Sequence, residues 1–78
     1  MERLVWTDSE LNRIYLAVSQ YARDELKRAY EEHKFARLAR ENFDEECARE
    51  CDAAYEQAMF LYKLYKADAE KIKSLLNC

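Results

Sequence analysis

Two cysteines and a histidine are the side chains whose types and spacing could do chemistry. Cys47 and Cys51 stand four residues apart, which on a helix puts both thiols on one face. If the chain folds back near Asn42 and Phe43, His33 comes roughly level with residue 52, so two thiolates and an imidazole could meet. Such a set suits zinc, with water or Glu50 completing the shell, and it could equally serve as a zinc- or thiol-dependent switch. A single C-x-x-x-C pair is far less specific than paired C-x-x-C knuckles. Small cysteines also fill narrow places between helices, where the imidazole would simply hydrogen-bond to Glu32, Asp52 or solvent. His33, Cys47 and Cys51 are therefore weak metal candidates, and no cofactor is expected.

Other catalytic groupings are missing from the sequence. There is no glycine in the chain, hence no phosphate-cradling glycine loop, and no Glu-x-x-His pair of the kind di-iron bundles use. Glu31, Glu32 and His33 are consecutive, which splits them across helix faces. The expectation is a protein that is not an enzyme.

The elements that carry these residues follow from the same composition. A chain of 78 residues with no glycine and no proline has little with which to build tight turns, and it shows no strand-like alternation, so it reads as all-α. Thr7-Asp8-Ser9-Glu10 is a capping box, with Trp6 and Leu11 flanking it as a hydrophobic staple. The pattern then runs to Glu41 without a break. At Asn42-Phe43-Asp44 a turn becomes plausible, because Asn tolerates the left-handed cap conformation and Asn or Asp can cap a following helix. Cations before this point (Lys34, Arg37, Arg40) and anions after it (Asp44, Glu45, Glu46) suit the two helix ends. The predicted organisation is a single domain over 1–78, with one helix over about 8–41, a turn at 42–44 and a second helix over about 45–77. Each helix would be roughly 51 Å long at 1.5 Å per residue. Equal arms imply an antiparallel hairpin, the alternative being one unbroken rod.

Placing residues every 100° gives each helix two apolar stripes. The first helix has a main stripe of Leu11, Tyr15, Val18, Ala22, Leu26, Ala29, His33 and Ala36, beside a second of Ile14, Ala17, Tyr21, Phe35 and Ala39. The second helix has a main stripe running from Cys47 and Cys51 through Ala58 and Tyr65 to Leu76, beside a second of Ala53, Phe60, Leu64, Ala67 and Leu75. A lone hairpin buries one stripe per helix, whereas each helix of a four-helix bundle touches two neighbours. A homodimer of hairpins is the economical solution, with Ile14, Tyr21, Phe35, Phe60 and Leu64 at the interface. A different protein could occupy the same face.

Charge suggests what such a bundle would bind. With 13 basic and 16 acidic residues the net charge is -3, which does not favour a general nucleic-acid or membrane binder. No apolar run approaches a membrane span and no signal-peptide core is present, while three cysteines point to free thiols, so a soluble cytoplasmic protein is expected. Glu45, Asp52 and Glu56 form an acidic outer face that could dock on a basic surface. A small acidic chain of this kind would fit an inhibitor of a nucleic-acid-handling complex, as phages encode. Arg23, Lys27, Lys34 and Arg37, with Tyr30 among them, form a basic face on the first helix that could follow the backbone of structured RNA. Either face could also be no more than a solvated helix surface. A protein partner is the leading expectation, RNA the runner-up, and no membrane partner is expected.

Overall fold

The computed structural model describes residues 6–76. Two helices, α1 (Asp8–Glu41) and α2 (Glu45–Leu76), pack against each other as a hairpin, with no strand among the described residues. The expected end of the second helix at residue 77, and Cys78, lie outside the described residues.

Helix α1 starts where the capping box places it. The Glu10 amide donates to the Thr7 hydroxyl oxygen at 3.1 Å, and the Thr7 amide donates to the Glu10 carboxylate at 3.2 Å, satisfying amides that have no partner within the helix. These Thr7 bonds hold the Glu10 carboxyl below its ordinary pKa. Its other end is a Schellman turn: the Phe43 amide bonds the Arg40 carbonyl at 3.1 Å and the Asp44 amide bonds the Ala39 carbonyl at 2.8 Å. The residue this turn forces into the left-handed region is Phe43, with φ 60, whereas Asn42 keeps φ -96. That corrects the expectation for Asn42, whose side-chain amide instead donates to the Leu38 carbonyl at 2.9 Å. Asp44 begins α2, accepting the Cys47 amide on Oδ1 at 3.1 Å.

Between the helices lies a seam made only of alanine. The buried residues are Ala22, Ala29, Ala36 and Ala39 of α1 with Ala48, Ala58 and Ala69 of α2, and no large side chain among the described residues is fully buried. Ala22, Ala29 and Ala36 are seven apart, the repeat that keeps one edge of a helix on its partner. Methyl-sized side chains let the backbones approach closely, and larger ones are displaced to either side. Tyr15, Val18 and Leu26, and opposite them Tyr62, Tyr65 and Ile72, accordingly flank the seam half-buried. Three placements differ from the stripe reading: Ala39 is buried and not on the outer stripe, Ala48 is buried although no stripe contained it, and His33 is exposed. Ala39 is an i, i+3 neighbour of Ala36 on the seam side of α1, and His33 lies beside the seam against Tyr55.

Phe43 supplies a test of this turn. It is 93% exposed, so its ring gains little from packing while its backbone carries a left-handed penalty of roughly 1–2 kcal/mol. Phe43→Gly should raise stability by about 1 kcal/mol, or about 4–8 °C in melting temperature for a chain of this size, read by circular dichroism. A lower melting temperature would mean that the Phe43 ring contributes more than its backbone costs.

Candidate functional site

The hairpin has two flanks of opposite character, one on each side of the seam. On the first, the Tyr21 and Tyr65 rings meet at 5.7 Å and Arg28 donates to Gln57 across the helices at 3.3 Å. An open groove between Val18, Ile72 and Leu75 lies on the same side near the free ends. Helical spacing from these contacts puts Ile14 and Phe35 of α1, and Leu61, Leu64 and Phe60 of α2, on or at the edge of this flank. Tyr21 is 55% exposed, Phe60 63% and Leu75 60%, while Ile14 is half-buried. The five residues expected at a dimer or partner interface thus lie along one side of the hairpin. They are interrupted by Arg28, which is paired with Glu25 at 3.4 Å.

The second flank is polar. His33 packs against Tyr55, ring centroids 5.6 Å apart. Farther toward the turn, both guanidinium nitrogens of Arg40 reach both carboxylate oxygens of Asp52. The pair lowers the pKa of Asp52, through the Arg40 hydrogen bond first and its charge second, and raises that of Arg40. Asp52 is therefore tied into the hairpin, and of the three acids expected to form a docking face only Glu45 and Glu56 remain wholly exposed. Antiparallel pairing has folded the acidic half of α2 back beside the basic half of α1, so near the turn the two predicted faces are one mixed surface. Arg23, Lys27, Lys34 and Arg37 are all exposed, with Tyr30 at 67% among them.

Toward the free ends of the same flank the balance changes. A groove of about 340 Å³ runs between the helices there, lined by Arg23, Ser19 and Tyr15 of α1 and by Tyr62, Lys66, Glu70 and Lys73 of α2. The Lys66 ammonium sits over the Tyr62 ring, 5.9 Å from its centre, and Arg23 donates to the Gln20 amide oxygen at 3.0 Å. The sequence shows the last turns of α2 to be basic, with Lys63, Lys66, Lys71 and Lys73, but only the fold brings Lys66 and Lys73 alongside Arg23.

The cysteines and His33 do not converge. His33 is engaged with Tyr55, and among the described residues no group of three or more His, Cys, Asp or Glu side chains is placed to hold a metal ion. Cys47 and Cys51 are free thiols, half-buried beside Glu32. Loss of water around the Cys51 thiol, with Cys47 and the Glu32 carboxylate next to it, pushes its pKa up to about 11. The thiolate is the form that binds metal or attacks an electrophile, so at neutral pH Cys51 is held in its unreactive form. Among the described residues no helix is long and apolar enough to cross a membrane. Compared with known proteins, the chain matches no family model, no curated protein and no solved structure.

The Arg40–Asp52 pair makes stability depend on pH with a definite sign. A carboxyl whose folded pKa is depressed stabilises the fold above its unfolded value, about 4 for Asp, and that contribution is lost as pH falls through the folded pKa. In urea titrations, Asp52→Asn should lower the unfolding midpoint at pH 7. The difference from the parent chain should close as pH drops below about 4. A difference unchanged down to pH 2 would show that the asparagine acts through packing and not through charge.

Proposed function

We propose that the chain is a small non-enzymatic interaction protein that works by binding another protein, and that its apolar flank pairs two hairpins into a four-helix bundle. The observation that carries this is the unfinished core. Among the described residues seven alanines are the only buried side chains, while Tyr21, Phe35, Phe60, Leu64 and Leu75 stay exposed. Its accessible surface is 6486 Å², against about 5,000 Å² for a compact chain of 9.4 kDa. The excess is about twice the roughly 800 Å² that each partner gives up in a standard protein interface. A second copy is the occupant that requires no further gene product, since a two-fold axis would set each apolar flank against its equivalent.

The bundle would leave its mixed and charged flanks outward for the partner. The acids at the turn end, Glu45 and Glu56 with Glu41 and Glu46, suit a basic protein surface. Inhibition of a nucleic-acid-handling complex is one activity such a surface could have. The zinc form of a zinc- or thiol-dependent switch is not supported by the placement of His33, Cys47 and Cys51, which do not come together as a metal-holding group.

Sedimentation equilibrium at micromolar concentration should give twice the chain mass. Leu64→Asp should shift the protein to monomer, because pairing would take a charged carboxylate out of water and into an apolar contact, while circular dichroism stays helical. A parent chain that sediments as a folded monomer would overturn the bundle and leave the apolar flank to a different protein.

A further inference from the structure

We infer that the groove at the free ends of the polar flank binds the phosphate backbone of structured RNA. Three cations, Arg23, Lys66 and Lys73, converge on this groove from both helices, and of its lining residues one, Glu70, is acidic. No carboxylate among the described residues lies within ion-pair distance of any of the three; the ion pairs present are Arg28–Glu25 and Arg40–Asp52. An exposed cation with no acidic partner keeps its charge available to a ligand, and one placed over an aromatic ring, as Lys66 is over Tyr62, has its position narrowed as well.

The net charge of -3 does not oppose this. Lys66 and Lys73 are 20 or more residues along α2 from Glu45 and Glu46, roughly 30–40 Å at 1.5 Å per residue. The Debye length at physiological salt is about 8 Å, so a ligand in the groove experiences the local cations. From the groove the positive strip continues along α1 through Lys27 and Lys34, about one to two helical turns apart. That is a ladder of cations on a scale comparable to successive phosphates, which neutralises charge along a strand.

RNA is favoured over a DNA duplex or an acidic protein by Tyr30. Its ring is 67% exposed beside Lys27 and Lys34, with a free face for stacking. Unpaired bases in RNA loops present a stacking partner, whereas bases in a duplex do not. This reading uses the flank opposite the apolar one and does not depend on the hairpins pairing.

Fluorescence anisotropy with a labelled RNA stem-loop, a DNA duplex of equal length and a poly-glutamate peptide tests it on the full chain. The stem-loop should bind at low salt and the other two should bind at least tenfold more weakly. Lys66→Ala with Lys73→Ala should weaken stem-loop binding tenfold or more and reduce the slope of log affinity against log salt by about one to two. Lys71→Ala, an exposed lysine on the apolar side, should change neither. Tyr30→Ala should weaken the stem-loop and leave residual duplex binding unchanged. Absence of stem-loop binding by the parent chain, equal loss in the Lys71 variant, or tighter poly-glutamate binding would each overturn the assignment. Sedimentation and circular dichroism on the same samples separate these outcomes from loss of fold or pairing: intact dimers that ignore RNA refute the groove alone.

Discussion

Contact between alanines holds this hairpin together, and most of its other properties follow from how small they are. Ala29, Ala48 and Ala58 are fully sealed from solvent, and each offers a single methyl group to the opposite helix. Helices that meet through methyl groups can approach closely, but they bury little area, and area removed from water is what drives folding. A chain of 78 residues has a marginal core in any case. Here the core is thinner still, because the Leu, Phe and Tyr side chains that would normally supply it are pushed out of the seam and onto the flanks. A larger residue at Ala29 would wedge the helices apart and strain neighbours that have no slack.

Displacement to the flanks divides the surface into regions of different character. One flank collects Tyr21, Phe35, Leu64 and Leu75, all exposed, around the Arg28–Glu25 pair. The other collects charge. Near the turn that charge is internally balanced by Arg40 and Asp52, which also pin the helices in register. Near the free ends Arg23, Lys66 and Lys73 have no such counterpart. Apolar and charged surface thereby lie on different sides of one rod measuring 58 × 23 × 14 Å.

Much of this was legible in the sequence, and the parts that were not have specific causes. The capping box at Thr7 and Glu10 marked the start of α1, and the sign change of charge across residues 40–46 marked the break between the helices, because these are local interactions. The left-handed residue was misplaced because intrinsic preference favours Asn over Phe, whereas the Schellman bonds from Phe43 and Asp44 settle the position by hydrogen-bond geometry. The seam was half read: large apolar residues dominate a hydrophobic pattern, so Ala39 and Ala48 carried little weight beside Leu and Tyr. The pairing of Arg40 with Asp52 was invisible because it depends on the register between helices. That same register separates His33 from Cys47 and Cys51, and it assembles the groove cations from residues more than forty positions apart.

The central claim is that an alanine seam closes the hairpin and leaves one apolar flank for a second copy. Isotope-filtered nuclear Overhauser spectroscopy on an equimolar mixture of labelled and unlabelled chains tests it most directly, because only contacts between chains give signals. The account predicts cross-peaks that join Leu64 and Leu75 methyl groups of one chain to Tyr21 and Phe35 rings of the other, with none from the seam alanines. Cross-peaks between chains from Ala22, Ala29 or Ala58 would contradict it, since the seam would then lie between molecules and not within one.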